Sequence, residues 1–472
     1  MSIPMLLPPY LLEAIAERGP EPAAERARAT LRRDAEIRSA RSTTSPAPPT
    51  PAPGATPGQP NRTIFSANNT EQLPGDEARA EGAPATGDPA VDEAYDGLGA
   101  TWQLFFDAYS RDSLDGRGMP MLGTVHYGTD YANAFWDGKQ MVFGDGDGEL
   151  FNRFTASLDV IGHELSHGVI EFTAGLRYAD QSGALNESVA DVFGALVKQH
   201  QLGQTADQAD WLIGAELFTD KVRGVALRSM IEPGSAYDDP VLGKDPQPGH
   251  MDGFVTTTDD NGGVHINSGI PNKAFQLAAT ALGGNAWERA GAIWYAALTG
   301  DQISADCDFA TFARLTSQAA AAIGETEAEA VRRAWAEVGL PVDEAPDAEQ
   351  RPAPAPASEP APSSEPAPSS EPGAPDDRIG DDAELYLGRS GGFTGMSRSR
   401  EFRLGELSPP DADSWRQLLG GPELTTWSRS DAPEPDRYTY RVACRTVPLD
   451  VQLPEPELPD QVRELFHRTL DG

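Results

Sequence analysis

Apolar and polar positions are spaced in two ways along this chain, and the spacing predicts which parts are helical. The first 41 residues, rich in Ala, Glu and Arg, have the composition and pattern of helices. A second helical region extends from about 156 to 341. Its predicted helices cover 159–173, 183–199, 272–282, 287–298 and 308–322.

Two other regions have the alternating pattern of half-buried strands. Between about 61 and 155, strand-like runs such as 124–127 and 140–143 stand among glycine turns. After residue 383 the alternation returns, and within 438–445 every second residue from Tyr438 onward is apolar. The chain is therefore predicted to belong to the α+β class.

Two low-complexity stretches separate these regions. Residues 42–60 contain seven prolines, and 343–382 contain eleven acids, two bases and a repeated Ser-Glu-Pro-Ala-Pro-Ser run. Such segments bury too little apolar surface to offset the entropy of ordering them. We interpret both as spacers, although the first also suits a processing site. The predicted organisation is a helical segment (1–41), a Pro-rich linker (42–60), a large domain (61–341), a Pro/Ala/Ser/Glu-rich linker (342–382) and a small C-terminal domain (383–472).

Composition argues against several functions. The 472 residues carry 73 acidic and 37 basic side chains, a formal net charge of −36, so a polyanionic nucleic acid is a poor partner. Two cysteines cannot form a disulfide framework, and no apolar run approaches the ~20 residues of a membrane span. The N-terminus lacks a basic segment, so we expect synthesis in the cytoplasm without a signal peptide and any release by a signal-independent route. We also expect a monomer.

The strongest chemical signal is a His-Glu-x-x-His run. On a helix His163 and His167 lie one turn apart on the same face and can share one Zn²⁺. A catalytic zinc usually has three protein ligands, and Glu187, 20 residues past His167, can supply the third. Asp191, one turn beyond Glu187, can accept a hydrogen bond from a ligating histidine.

Either half of this pattern alone could be an ordinary polar helix face. Together, on two helices that Gly162 and Gly183 would allow to approach closely, the two halves indicate a metal site. Glu164 follows the ligand His163 but does not itself need to bind the ion. It is therefore the candidate general base, which takes a proton from a zinc-activated water and later delivers it to the leaving amine.

Several stretches around these residues resemble the thermolysin family of zinc metalloendopeptidases. The matching segments are 133–136, 144–148, 173–178, 182–194, 227–230 and 260–269. The short N-terminal block with Pro-Pro-Tyr at 8–10, and the run 243–249, resemble the protealysin branch of that family. The resemblance implies a two-lobed catalytic domain over about 61–341, with a β-rich N-lobe, a helical C-lobe and one catalytic zinc.

The same resemblance implies roles that spacing alone does not reveal. Tyr178 and His265 match the donors that stabilise the oxyanion, and Asp260 would orient His265. Asn133 and Ala134 match the edge-strand segment that pairs with an extended peptide substrate.

Substrate preference is also implied by the resemblance. Arg228 matches the arginine that binds the substrate carbonyl just past the cleaved bond. Five apolar residues fall where the family forms its pocket for the residue after that bond: Phe151, Phe154, Val160, Leu217 and Leu227. The alternative is that these five are ordinary core residues. As a pocket they favour cleavage on the amino side of bulky hydrophobic residues.

Calcium binding does not follow from the resemblance. Asp159 and Asp210 match carboxylates of the calcium pair in thermolysin, but an ammonium at Lys198 can neutralise Asp159 directly. The positions that lack the required carboxylates are Lys198, Leu212, Ala215 and Val225. The glycine-rich run 144–148 also lacks the spacing of an EF-hand and is interpreted as a turn.

The two ends of the chain suggest control of an enzyme by its own segments. Residues 1–41 resemble the short propeptide of protealysin-type enzymes, which covers the cleft; a disordered tail is the alternative. Residues 385–395 and 436–442 resemble emfourin, a small inhibitor of protealysin-like peptidases, with the order strand, glycine-rich turn, strand, helix, strand, helix. A substrate- or surface-binding module is the alternative for this domain.

The whole pattern predicts a zinc endopeptidase acting on proteins and peptides, made as a self-processed precursor. Its predicted intramolecular partners are the propeptide and the C-terminal inhibitor-like domain. The rival hypothesis is a binding protein that keeps the scaffold without activity. The presence of every chemical position favours the enzyme.

Overall fold

The computed structural model describes residues 4–41 and 57–342, together with 383–391, 398–407, 409–420, 424, 438–444, 449–454 and 458–471. The chain forms two compact units, which divide near residue 351. Most of the two predicted linkers lie outside the described residues, as do residues 392–395 of the glycine-rich turn predicted at 389–395; residues 389–391 belong to a strand. Within the described ranges, no helix combines the length and the apolar character needed to cross a bilayer.

The first half of the larger unit contains a five-stranded mixed sheet. Its strands are β1 (Arg62–Ser66), β2 (Asp76–Ala80), β3 (Met121–Val125), β4 (Ala134–Trp136) and β5 (Met141–Phe143). They are ordered β2-β1-β3-β5-β4, which leaves β4 at an edge. The three central strands are parallel, and each edge strand runs antiparallel to its neighbour.

Helix α3 (Pro89–Tyr109) corrects the sequence prediction, which treated this region as mixed and strand-like. Asp88 caps the helix by accepting a hydrogen bond from the Ala90 N–H at 2.9 Å. Val91, Leu98 and Phe105 recur at helical spacing and are buried. The signal for this helix is therefore in the sequence, although glycine turns flank it.

The second half of the larger unit is mainly helical. Its helices are α4 (Leu158–Glu171), α5 (Asp180–Leu202), α6 (Asp260–Asn267), α7 (Gly269–Leu282), α8 (Ala290–Thr299), α9 (Phe309–Ile323) and α10 (Glu325–Glu337). Two short hairpins pair β6 (Leu212–Ile213) with β7 (Arg228–Ser229) and β8 (Asp238–Asp239) with β9 (Gly243–Lys244). Each of the five predicted helices occurs, with ends shifted by no more than three residues.

Helices α4 and α5 cross at two glycines. A Cβ atom on Gly162 would lie 3.0 Å from the Gly194 Cα, and one on Gly194 would lie 2.4 Å from the Asp159 carbonyl oxygen. The prediction that Gly162 permits close approach therefore fits the structure. Gly183, the other glycine predicted to do so, instead faces Val264 of α6, where a Cβ would approach to 2.5 Å.

The N-terminal segment packs on both halves of the same unit, since Arg18 Nη2 donates to the Leu242 carbonyl at 3.2 Å and other residues contact the sheet half. It contains α1 (Pro9–Arg18) and α2 (Ala23–Arg41). The carboxylate of Asp34 is buried against the sheet half and accepts hydrogen bonds from the Tyr131 hydroxyl at 2.6 Å and the Asn133 amide at 2.9 Å. Arg26 forms an ion pair with Asp130 at 3.0 Å.

The smaller unit is an antiparallel sheet with two helices. Strands β10 (Glu384–Gly391), β11 (Arg398–Arg403), β12 (Tyr438–Cys444) and β13 (Leu449–Pro454) are ordered β11-β10-β12-β13. Helices α11 (Pro409–Gly420) and α12 (Asp460–Asp471) meet where the rings of Trp415 and Phe466 stack at 5.1 Å. Strand β13 was missing from the predicted order, although Leu449, Val451 and Leu453 alternate as a strand requires.

Candidate active site

Two histidines on α4 and one glutamate on α5 form the centre of the site. The Nε2 atoms of His163 and His167 are 3.1 Å apart. The Glu187 carboxylate oxygens lie 3.5 Å from His163 Nε2 and 3.6 Å from His167 Nε2. All three side chains are buried. In the part of the chain that the structure describes, this is the one group of His, Cys, Asp or Glu side chains close enough together to hold a metal ion.

The outer nitrogens of both rings already have partners. His163 Nδ1 lies 2.8 Å from Asp191 Oδ1, and His167 Nδ1 lies 2.8 Å from Asn186 Oδ1. Since carboxylate and amide oxygens only accept, each Nδ1 donates, which directs Nε2 of both rings towards the ligand position. Burial lowers the pKa of His167 to about 4, which keeps that ring neutral. Two lone pairs and a carboxylate repel one another unless a cation lies among them, so the donor set fits zinc.

Glu164 lies beside this centre without joining it. Both of its carboxylate oxygens are buried and have no side-chain hydrogen-bond partner among the described residues; the one donor nearby is the Trp136 backbone N–H, whose contact is too poorly aligned for a regular hydrogen bond. Burial, together with the neighbouring Glu187 carboxylate, raises the pKa of Glu164 well above its usual value. A buried carboxyl without a partner is costly, so this position indicates a group that binds from outside the chain.

Tyr178 and His265 approach the centre from outside α4. The Tyr178 hydroxyl donates to Glu187 and lies 3.3 Å from His265 Nε2. Asp260 accepts from the His265 N–H at 2.9 Å and lies 2.6 Å from His265 Nδ1. Burial alone would lower the pKa of His265, but Asp260 and Glu187 raise it to about 9. The raised pKa favours the protonated ring of His265, whose Nε2 can donate a hydrogen bond.

A left-handed turn at the start of α6 makes the Asp260–His265 contact possible. Asn261, Gly262 and Gly263 have φ values of 52°, 92° and 75°. A Cβ atom on Gly262 would lie 2.4 Å from Asp180 Oδ1, so this position requires glycine for space as well as for conformation. The turn brings the Asp260 carboxylate back to both the backbone and the ring of His265.

Asp191 connects the metal-binding residues to Arg228. Besides bonding His163, it accepts from Arg228 Nε at 2.8 Å, from Arg228 Nη2 at 2.7 Å and from Asn272 Nδ2 at 2.8 Å. Burial alone would raise the pKa of the Asp191 carboxyl, but Arg228 and His163 hold it well below its usual range. Asp191 therefore stays ionised, and it holds the Arg228 guanidinium in place.

Asn133 and Ala134, at the start of edge strand β4, are covered by the N-terminal segment. The Leu6 N–H donates to the Ala134 carbonyl at 3.1 Å, and the Leu7 N–H donates to Asn133 Oδ1 at 2.9 Å. Asn133 Nδ2 in turn donates to the Leu7 carbonyl at 3.3 Å. The predicted peptide-binding segment thus binds a peptide of its own chain through one main-chain bond and the Asn133 side chain, although Leu6 and Leu7 form a bend and not an added strand.

The apolar residues predicted to line the specificity pocket are all buried in one cluster: Phe151, Phe154, Val160, Leu217 and Leu227. The two phenylalanine rings are 6.1 Å apart. Leu217 and Leu227 both approach Gly214, where a Cβ atom would lie within 3.2 Å of either. The Gly214 N–H donates to Asp159 of α4 at 3.0 Å, which places both leucines near the helix that carries the histidines.

Three polar residues of the site were not predicted from the sequence. Asn186 fixes His167, Asn272 binds Asp191, and Gln247 Nε2 donates to the His265 carbonyl at 2.7 Å. Asn186 carried a usable signal, because it directly precedes Glu187 on the same helix. The other two reach the site only through the packing of segments distant in sequence.

Comparison with known proteins agrees with this geometry. Residues 59–171 match the thermolysin metallopeptidase catalytic domain, and residues 174–340 match the thermolysin metallopeptidase alpha-helical domain. The chain therefore belongs to the thermolysin metallopeptidase family and is a metalloendopeptidase. Residues 387–470 match Emfourin, which confirms the resemblance of the C-terminal domain.

Individual relatives place the chain more closely. It is 54% identical over 338 residues to an extracellular metalloprotease of Pectobacterium carotovorum subsp. carotovorum, covering 71% of this chain and 96% of that protein. It is 56% identical over 287 residues to Protease PrtS of Photorhabdus sp. (strain Az29), covering 60% and 77%. The solved precursor of protealysin, a metalloproteinase from Serratia proteamaculans, is 52% identical, with a TM-score of 0.66 and coverage of 71% and 99%. The predicted protealysin-like branch and two-lobed α+β class are confirmed.

Proposed function

We propose that this metalloendopeptidase uses one Zn²⁺, held by His163, His167 and Glu187, to cleave proteins and peptides on the amino side of bulky hydrophobic residues. One arrangement carries the proposal: three converging ligand atoms stand beside Glu164, a buried carboxylate without a side-chain partner. A scaffold that only binds would have no use for this costly unpartnered acid.

The chain's own residues supply the proton transfers and the hydrogen bonds of the reaction. Zinc, when bound, lowers the pKa of a water molecule towards ~7 and polarises the substrate carbonyl. Glu164 takes the proton of the attacking water and delivers it to the leaving amine. Tyr178 and His265 donate to the developing oxyanion, and Asp260 keeps His265 oriented for this.

Binding residues select and align the substrate. Asn133 and Ala134 pair with the main chain of an extended peptide, as they do with Leu6 and Leu7 of this chain. Arg228, held by Asp191, binds the carbonyl after the cleaved bond. The apolar cluster near the start of α4 receives the side chain after that bond, which accounts for the preference for bulky hydrophobic residues.

The chain is made as a precursor whose residues 1–41 act as a propeptide. Its contacts with Asn133 and Ala134 cover the substrate-binding edge of the domain at 61–341. Removal requires a cut between about residues 42 and 62, in the Pro-rich linker. The enzyme makes this cut itself.

The C-terminal domain, residues 383–472, acts as a built-in inhibitor. The Emfourin match over 387–470 supports this role, and the 342–382 linker keeps the domain at an effective concentration on the order of millimolar. Surface or substrate binding is the rival role for this domain.

The proposed function is tested by replacing the general base. Glu164→Gln keeps the size of the side chain and the three ligands, so it should bind one Zn²⁺ per chain. It should lose at least ~1000-fold in casein hydrolysis, in the range that removal of a general base produces. The purified variant should also stay full length while the wild-type precursor loses its N-terminal block.

The matched control is Glu171→Gln, the same change at another glutamate of α4, which should hydrolyse casein at the wild-type rate. Chelation of the wild-type protein should abolish activity, and added Zn²⁺ should restore it. A Glu164→Gln protein that hydrolyses casein at the wild-type rate would refute the assignment.

A further inference from the structure

The N-terminal segment lies in the cleft with the polarity and register of a substrate. Two consecutive N–H groups, those of Leu6 and Leu7, bond the Ala134 carbonyl at 3.1 Å and Asn133 Oδ1 at 2.9 Å. Asn133 Nδ2 closes the pairing on the Leu7 carbonyl at 3.3 Å. These contacts use main-chain groups, which every peptide substrate shares. They determine which peptide bond of the segment lies beside the proposed metal-binding residues.

That bond is the one between Met5 and Leu6. The Met5 carbonyl oxygen accepts a hydrogen bond from His265 Nε2 at 2.9 Å. The same nitrogen lies 3.3 Å from the Tyr178 hydroxyl and 3.6 Å from Glu187 Oε1. The carbonyl of the Met5–Leu6 bond therefore contacts the donor proposed to stabilise the oxyanion, next to a proposed metal ligand.

The side chains on both sides of this bond are held in apolar surroundings. Leu6 is fully buried and belongs to the main hydrophobic core of the larger unit. Met5 packs in a separate apolar group, composed of Met5, Ala67, Tyr127, Tyr131, Phe135 and Val142. A bulky hydrophobic residue thus follows the bond, in agreement with the proposed preference.

We propose that the Met5–Leu6 bond is itself a substrate bond of this enzyme, and that the propeptide blocks the cleft as a bound substrate. This inference rests on the proposed function. Water adds to the Met5 carbonyl carbon and the C–N bond breaks. The products are a carboxylate on Met5 and an amine on Leu6 that takes up the proton.

The cut does not by itself release the propeptide. Residues after Leu6 stay anchored through buried side chains of α1 and through Asp34, which binds Tyr131 and Asn133. With both new ends held, the cleaved bond can re-form more often than in a free peptide. Cleavage at Met5–Leu6 is therefore slow in the precursor and separate from the maturation cut in the linker.

The first experiment uses a free peptide as the probe. The N-acetylated peptide with the sequence of residues 2–13 is given to the self-processed, zinc-replete enzyme, and the products are identified by mass spectrometry. The expected cut lies between Met5 and Leu6. Cleavage of casein with no cut at Met5–Leu6 would overturn this inference alone, whereas failure to cleave casein would overturn the proposed function.

A second measurement does not depend on activity. Binding of the labelled peptide to the Glu164→Gln protein, stripped of its propeptide by an added protease, is followed by fluorescence anisotropy. Leu6→Gly in the peptide should weaken binding at least tenfold, because it removes a fully buried side chain. Glu13→Gly, a matched change at an exposed position, should have little effect. Equal weakening by both changes would overturn the assignment of Leu6 to the position just after the cleaved bond.

The full precursor provides the last test. Incubated with zinc, wild-type protein should yield propeptide fragments that begin at Leu6, and the Glu164→Gln precursor should yield none. Fragments that begin at Leu6 in both proteins would show that another protease makes the cut and would overturn the proposal.

Discussion

Asn186 shows, at the scale of single residues, how much of the metal site depends on groups that do not bind the metal. Its side-chain oxygen accepts the Nδ1 proton of His167 at 2.8 Å, which directs the other ring nitrogen to the ligand position. Asp191 performs the same task for His163 and also holds Arg228. Ligand geometry and substrate binding therefore share one buried network.

The Asn186 contact can be tested directly. Asn186→Leu keeps the size of the side chain but removes the acceptor, so His167 loses its orientation. Zinc affinity, measured by competition with a chelator, should fall about 10–100-fold. Asn285→Leu, at an exposed asparagine that bonds Glu288, is the control and should leave the affinity unchanged. An unchanged affinity in the Asn186 variant would show that packing alone orients the ring.

His126, which is not one of the active-site residues, makes a pH-dependent contribution to the stability of the fold. Its Nδ1 lies 2.9 Å from Asp145 and its Nε2 lies 3.0 Å from Asp88. Hydrogen bonding to Asp145 raises the pKa of His126 to about 9, although partial burial opposes this. Asp145 and Asp88 are 19 and 38 residues away from His126 in the sequence, so these ion pairs appear only in the fold.

The sign of the effect follows from the raised pKa. A histidine whose folded pKa exceeds its unfolded value of ~6.5 contributes fully below that value, and the contribution is lost as pH rises through about 9. The free energy of unfolding should therefore fall between pH 6.5 and 9, by roughly 1–3 kcal/mol. His126→Gln should remove this slope in urea titrations across that range. An identical slope in both proteins would contradict the assignment.

At the scale of elements, Lys198 on α5 forms ion pairs that connect α5 to the start of α4 and to the loop that follows α5. Its Nζ lies 3.1 Å from Asp159 on α4 and 3.0 Å from Asp210 in the following loop. The Ser157 hydroxyl bonds Asp159 at 2.8 Å and Glu216 at 2.6 Å. Burial raises the pKa of Asp159, and the Lys198 charge opposes that rise. A fixed ammonium thus occupies the place where the resemblance would have put calcium.

This arrangement predicts a fold whose stability does not depend on calcium. Melting temperatures of the zinc-replete protein should agree within a degree or two with and without millimolar calcium. Lys198→Met should cost about 3–5 kcal/mol, because it leaves Asp159 buried without its cation. Lys221→Met, which breaks an exposed pair with Glu149, should cost about 0–1 kcal/mol. A rise of many degrees in the melting temperature on adding calcium to wild-type protein would contradict the prediction that stability does not depend on calcium.

At the scale of the whole molecule, one chain joins a peptidase with a domain that matches Emfourin. The two are joined by a long segment that is acidic and rich in proline. A tethered inhibitor can be nearly saturating at modest affinity, since the second binding event is intramolecular. Cutting the linker would then release the inhibitor to dilution.

Truncation of the chain tests this inhibition by the C-terminal domain. The chain 1–345, freed of its propeptide, should have higher specific activity than full-length protein freed of its propeptide. Isolated residues 378–472, added in excess, should lower it again. Boiled domain at the same concentration is the control. Equal activities and no inhibition by the added domain would favour the binding-module interpretation.

The sequence by itself determined the class of this protein, because the local spacing of the metal-binding residues is enough to recognise them. His163 and His167 are four positions apart, about one helical turn, so their pairing follows from periodicity. Glu187 falls on the next predicted helix, where its motif identified it as the third ligand. Five of the seven helices described for the second lobe could be predicted for the same reason, whereas α6 and α10 were missed. Helix α3 and strand β13 carried readable patterns that were not used.

Tertiary structure decided the contacts between segments far apart in the chain. The bond of Asn272 to Asp191 spans 81 residues, and that of His265 to the Met5 carbonyl spans 260. No local pattern sets these pairs, because they depend on how packed helices and the docked N-terminal segment place the groups in space. The same reason explains why the register that presents Met5–Leu6 to the site, and the ion pairs of His126, became visible only in the folded chain.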